Sequence, residues 1–221
     1  LPSFSHFIQV FGSTYDVFLK AMLLTLQLTV VSILIGIVIG LFFALLKISN
    51  IKVLGIISDA YIYLVRGTPL IVQIFILYFG ISGIFLLPDF WAASLALAFH
   101  NGAYIAEIFR GTIQSIDKGQ MEAGRSLGMS RSLAMRRIVL PQAFRRALPP
   151  LGNQFIIGLK DSSLAAFISM NELFNVATTL GSNNFDEMTY LLIVAVYYLI
   201  LVGILTLIVS AIERKLAVSD R

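Results

Sequence analysis

The sequence predicts an all-α integral membrane protein with five transmembrane helices, N-terminus outside and C-terminus inside, and three observations carry that prediction. The 221 residues are 58% hydrophobic and 13% charged, with a mean hydropathy of +0.89. That leaves too little polar surface to coat a soluble globule. Several uncharged runs reach the ~20 residues that a spanning helix needs. Lys and Arg gather between alternate pairs of those runs, as the positive-inside rule requires. The net charge of +4 does not point to nucleic acid, because the basic residues flank apolar runs, where they face anionic headgroups of the lipid bilayer. The chain has no cysteine and two histidines, His6 and His100, so disulfides, thiolate nucleophiles and cysteine-metal sites are excluded within it.

The elements follow in order. Residues 1–20 form an N-terminal interfacial segment in which Phe4, Phe7, Phe11, Tyr15 and Phe18 fall near one helix face. The first span covers residues 21–46. Its uncharged run is longer than the ~7–15 residues of a signal-peptide core, so it is expected as a retained span. Gly36 and Gly40 form a GxxxG pattern within it. Lys47 and Lys52 put its end inside, where Arg66 serves as an interfacial anchor or a partner for Asp59. Thr68 caps a new helix with Pro69 at its first position, opening the second span, 69–87. Pro88 and Asp89 make the outer turn, and the third span, 90–109, returns inward to Glu107 and Arg110. The fourth span, 150–170, is interrupted by Lys160-Asp161-Ser162-Ser163. An outside loop rich in Gly, Ser and Asn leads to the fifth span, 188–212, and Glu213-Arg214-Lys215 holds the end inside. Residues 21–215 thus form one transmembrane domain with a short cytoplasmic tail, 216–221.

Residues 117–141 make a polar loop between the third and fourth spans. Asp117 caps a first short helix, with Gln120 as its capping-box partner, and Gly128 ends it in a left-handed turn. Ser130 or Ser132 caps a second, which should stop or bend at Pro141. No G-x-x-x-x-G-K-[ST] occurs, so the chain cannot cradle ATP phosphates in a P-loop. A membrane subunit without an engine but with a helical loop invites a mechanical reading, in which the loop docks on a partner and moves with it. Glycines 124 and 128, four apart, would share one face and admit close approach, with Met121, Ala123 and Leu127 as apolar contacts and Glu122 and Arg125 at the rim. Arg136, Arg137, Arg145 and Arg146 read as headgroup anchors.

The fourth span also carries the strongest pore candidates. Lys160 lies ten residues past Pro150, or ~15 Å at 1.5 Å per residue, about half of the ~30 Å hydrocarbon core. Lys160 and Asp161 therefore fall near the midplane, where they either line a cavity or brace the bundle. Ser162 and Ser163 can satisfy backbone groups freed by a break in the helix. His100 and Asn101, near the middle of the third span, either line the same cavity or bond to a neighbouring helix.

Glu122-Ala123-Gly124, Gly128 and Ile138-x-Leu140-Pro141 occur at a spacing that resembles the cytoplasmic EAA loop of permease subunits of bacterial ATP-driven (ABC) importers, with Gly124 standing where alanine is usual. Arg66-Gly67-Thr68-Pro69, Ala103-Tyr104-Ile105-Ala106-Glu107, Leu148-Pro149 and Asp161-Ser162 are similar to the polar amino-acid branch of that family, the permeases for histidine, glutamate, glutamine, arginine and cystine. The resemblance implies a non-enzymatic, multi-pass transport subunit of the bacterial inner membrane that imports a polar amino acid. It implies coupling through Glu122, Ala123, Gly124, Arg125, Leu127 and Gly128 to two ATP-binding subunits, which would hold the ATP and Mg. A second permease subunit and an extracytoplasmic substrate-binding protein complete the implied assembly. The alternative is an ion- or proton-coupled carrier using Lys160 and Asp161 as its relay. It leaves the cytoplasmic loop unexplained.

Overall fold

The computed structural model describes residues 2–49, 51–82 and 87–219, which are helical with no strand among them. The end of the expected second span, at residues 83–86, and the last two residues of the tail lie outside the described residues.

Helix α1, Phe4–Ile48, is one unbroken helix of 45 residues, about 68 Å long. Ser3 caps it by accepting from the His6 amide. The aromatic segment and the first span are thus continuous: the helix passes residue 20 with neither proline nor a glycine stop. The aromatics divide their duties. Phe11 and Phe18 stack on Tyr197 at 5.6 and 5.2 Å, while Phe4 and Tyr15 are exposed. Further along, α1 lies against α4, Asp89–Gln114. A Cβ at Gly40 would sit 2.6 Å from the Ile105 side chain and 2.9 Å from the Gly102 carbonyl oxygen. The GxxxG pattern is therefore a real helix crossing. Small residues of α4, among them Ala96, Ala98 and Ala103, are fully buried and keep the helices close.

Helices α2, Lys52–Arg66, and α3, Leu70–Ser82, meet at a sharp bend of 101° measured over Leu70–Gly80. Thr68 does not cap α3 as expected. Its hydroxyl donates back to the Leu64 carbonyl, and the Gln73 amide reaches over the bend to donate to Val65 O, Thr68 O and Thr68 Oγ1 at 2.7, 3.1 and 2.9 Å. Carbonyls freed by the break are satisfied by a side chain from the following helix. Arg66 does not pair with Asp59 either. Asp59 pairs with Lys47, and the Arg66 guanidinium lies 4.9 Å over the Tyr104 ring.

The polar loop folds as two short helices, α5, Lys118–Ser126, and α6, Arg131–Ala134. Asp117 caps α5 through the Gly119 amide and Ser130 caps α6 through the Leu133 amide. Gly128 has φ +85°, the left-handed turn that its spacing predicts. Gln120 is drawn away from the capping box: its oxygen accepts from Gln142. Pro141 does not stop the chain. A π turn at Met135–Val139 precedes it and runs directly into α7, Leu140–Asp161, with the Leu140 amide donating to Met135 O; the wider turn takes up the proline without breaking the helix.

At Asp161 the α-helix tightens into a 3-10 segment, Ser162–Ile168, so the expected interruption falls at the expected residues. The loop expected outside holds a helix of its own, α8, Leu173–Asn184, before α9, Glu187–Ser219. Among the described residues, two helices are long and apolar enough to cross a membrane alone, Phe4–Ile48 and Glu187–Lys215, and the bent α2–α3 pair makes a third if it crosses as one unit. Helices α4 and α7 are more polar, carrying His100, Asn101 and Gln154 and charged ends.

Candidate functional site

Two groups of residues make up the candidate site: the α5–α6 loop and the polar residues where α4 meets α7. In the loop, Glu122, Ala123 and Arg125 are exposed and Leu127 is 82% exposed. Gly124 behaves differently. It is buried, and a Cβ there would lie 2.7 Å from Ile138 Cδ1 and 3.2 Å from the Ala134 side chain. Its close approach joins α5 to α6 and the π turn. Gly128 lies past the end of α5, in the turn, with nothing within 4 Å of a Cβ. The two glycines therefore do not form one docking face as their spacing suggests, because the helix ends between them. Met121 also turns inward, against the cluster of Ile113, Ile116, Val139 and Ala143.

On α4, the His100 Nδ1–H donates to Gln73 Oε1 at 3.2 Å, and its ring lies 5.3 Å from that of Tyr104. The same Gln73 that closes the α2–α3 bend thus ties it to α4. Asn101 is fully buried. Its Nδ2 donates to Leu97 O and its Oδ1 accepts from Gln154 Nε2 on α7, at 2.8 Å in each case. Asn101 is turned into the α4–α7 interface, away from any open space.

On α7, Lys160 is exposed and Asp161 half-buried, and no ion pair forms between them. Successive helical residues point about 100° apart, which keeps their charges from meeting. Ser162 is fully buried and donates to Leu159 O at 2.8 Å, and Ser163 donates to Lys160 O at 2.7 Å. The serines supply donors where the α pattern of hydrogen bonds gives out. Lys160, Asp161 and His100 retain free polar surface, while Asn101 and Ser162 are committed to structure.

The α8 end of the bundle, expected to lie outside, carries residues that the pattern of runs does not single out. Glu172 is fully buried; it accepts from the Phe174 and Asn175 amides at 2.9 and 2.7 Å and from Tyr198 Oη at 3.2 Å. Thr25 Oγ1 on α1 accepts from the Leu173 amide. His6 Nε2–H donates to Asp186 at 2.7 Å, as does the Thr189 hydroxyl. These bonds hold the Asp186 carboxyl below the usual carboxylate range, His6 contributing most. Gln73 is a lone amide inside an apolar stretch and Gln154 stands with Asn153 just before one, and an unpaired amide there is costly.

A family model described as binding-protein-dependent transport system inner membrane component matches residues 8–218. The arginine transport system permease protein ArtQ of Bacillus subtilis is 38% identical over 204 residues, 91% of this chain and 93% of the relative. The L-cystine transport system permease protein TcyB of the same organism is 39% identical over 194 residues, 87% and 83%. In three dimensions the chain is similar to the crystal structure of an amino acid ABC transporter with histidines, with a TM-score of 0.86, 38% identity and coverage of 95% of this chain and 98% of that one.

Proposed function

The chain belongs to the family of binding-protein-dependent transport system inner membrane components, and from that premise we propose that it is the permease subunit of an ATP-driven importer of a polar amino acid. The observation that carries this reading is the full-length likeness in both sequence and fold to permeases and transporters of amino acids. It is supported by the position of the α5–α6 loop, which leaves α4 and returns into α7, the two helices that carry His100, Lys160 and Asp161.

In the bacterial inner membrane the chain would cross five times: α1, the broken α2–α3 pair, α4, α7 with its 3-10 extension, and α9, with the N-terminus out. Two ATP-binding subunits, holding ATP and Mg, would seat on Glu122, Ala123, Arg125 and Leu127. Gly124 and Gly128 shape that surface from behind. A second permease subunit would complete the pathway, since five spans enclose little by themselves. An extracytoplasmic binding protein would deliver the substrate. His100, Lys160 and Asp161 would face it; Asp161 suits an ammonium group and Lys160 a carboxylate, so the pair fits a zwitterion. Asn101 and Ser162 would position those groups by bracing α4 on α7.

The test is uptake in proteoliposomes containing the assembled transporter. Uptake should require ATP and the binding protein, and Asp161→Asn should change its kinetics without preventing assembly. Uptake by this chain alone, driven by an ion gradient, would sink the proposal in favour of a secondary carrier.

A further inference from the structure

The four arginines around the π turn look alike in sequence and differ in the structure. Arg146 is consumed internally, donating to Ser115 O and Ser115 Oγ at 2.7 and 3.2 Å. Arg137 is exposed and lines no groove with the others. Arg136 and Arg145 share the rim of a slot of about 400 Å³ at the inner end of the bundle, between α1, α4 and the start of α7. Its walls are apolar, with Leu41, Phe109, Leu140 and Phe144 among them, and no carboxylate lines it. Neither guanidinium takes part in an ion pair among the described residues.

The slot is polarised along the membrane normal. Leu41 lies six residues before Lys47 on α1, about 9 Å deeper than that charge, whereas Arg136 belongs to the π turn that follows the polar loop and Arg145 stands beside Arg146, which reaches Ser115 at the end of α4. On the same stretch of α1, Leu34, Val38, Phe42 and Leu45 are exposed, a surface suited to acyl chains. A cleft that opens onto such a surface, runs apolar at depth and ends in two unneutralised cations is complementary to one kind of molecule. We propose that it binds an anionic phospholipid of the inner leaflet, with the phosphate between Arg136 and Arg145 and an acyl chain along Leu41, Phe109 and Phe144. A soluble phosphate would leave the apolar walls wet, and a zwitterionic lipid, with no net charge, would offset neither arginine, whereas an anionic lipid offsets one of the two positive charges. The site abuts the π turn through Arg136 and the end of α4 through Phe109, so a bound lipid would stiffen the junction between the loop and the bundle.

The membrane depth in this proposal rests on the five-span reading, so the test uses a readout that does not need transport. The assembled transporter is placed in nanodiscs of phosphatidylglycerol in phosphatidylcholine, and retained lipid is counted by native mass spectrometry. Arg136→Gln or Arg145→Gln should each lower phosphatidylglycerol retention about fivefold, and the double variant about thirtyfold. Leu140→Trp, which fills the slot and keeps both charges, should lower it too, and Arg137→Gln should not. Equal retention by parent and double variant overturns the site, as does an equal loss in Arg137→Gln. Displacement by glycerol phosphate would overturn it in favour of a soluble anion. Protection of Arg145→Cys from a charged maleimide in the lipid-free complex would overturn it in favour of a protein surface. ATP-dependent uptake is followed in the same lipids: its absence counts against the permease reading, while loss of the lipid site alone leaves uptake in place.

Discussion

The two ends of this bundle, the expected outer one with α8 and the expected inner one with the α5–α6 loop, spend their polar groups in opposite ways. At the outer end, side chains distant in sequence close on one another: His6 with Asp186, the Leu173 amide with Thr25, Tyr198 with Glu172. Most of those groups are buried or partly buried. At the inner end, the α5–α6 loop is held chiefly by the inward packing of Gly124 and Met121, and Leu127 stands bare. One end completes its contacts within the chain and the other leaves some open, as the proposed docking of a partner requires. The difference gives a physical criterion for telling scaffold from docking surface: whether the groups are already satisfied.

The strongest way to break the contrast is at Glu172. Glu172→Ala removes the cap of α8, orphans two amides and deprives the buried Tyr198 hydroxyl of its acceptor. A loss of about 3 kcal/mol in stability is expected, read as a fall in the melting temperature of the purified protein. An unchanged melting point would mean the outer ties are ornamental. The opposite signature belongs to Leu127→Asp. Binding of the ATP-hydrolysing partner should weaken by about 2 kcal/mol, roughly thirtyfold, with no change in melting temperature, because the side chain touches little of its own chain. A variant that melted early yet bound its partner normally would place Leu127 in the scaffold instead.

Legibility from sequence follows the same division. Features set by local chemistry could be read directly: the Asp117 cap, the left-handed Gly128, and the break at Asp161, where charge and serine interrupt an apolar run. Features set by a distant partner could not. The burial of Glu172, the cap of α8, brings in Tyr198 from 26 residues away, and the helical spacing of Leu173, Val176, Ala177 and Leu180 is overshadowed by the Gly, Ser and Asn that follow it. The bend after Arg66 is closed by Gln73 rather than Thr68, because an amide carries two donor hydrogens and can serve several carbonyls at once. Glycines 124 and 128 appeared to share a face only because the end of α5 is decided by the turn between them. Of the candidate pathway residues, spacing marked His100, Asn101, Lys160, Asp161 and Ser162 alike. Burial separates the committed Asn101 and Ser162 from the other three.

A smaller effect sharpens the middle of the molecule. Gln154→Leu removes the donor to Asn101 Oδ1 across the α4–α7 interface. It should cost about 1 kcal/mol and loosen the packing through which the proposed coupling would pass. If Asn101 braces the helices, Gln154→Leu and Asn101→Leu together should cost less than the sum of the two. Strict additivity in melting experiments would instead assign Asn101 an independent role.

The smallest effect lies at the outer tie. The Asp186 carboxyl is held below the usual range by His6 first and Thr189 second. A carboxyl whose folded value is lowered binds its proton more weakly when folded than when unfolded. Its stabilising contribution is therefore fully present above the ordinary carboxylate value, about 4, and is lost as pH falls through the lowered folded value. The melting temperature of Asp186→Asn should lie slightly below that of the parent at neutral pH, and the gap should close on acidification below about pH 4. The group is partly exposed, so the gap should also narrow with added salt. A gap that persisted in full at about pH 2 would show that Asp186 acts through its shape and hydrogen bonds rather than its charge. The outer end would then be held together by the buried Glu172 and Thr25 contacts alone.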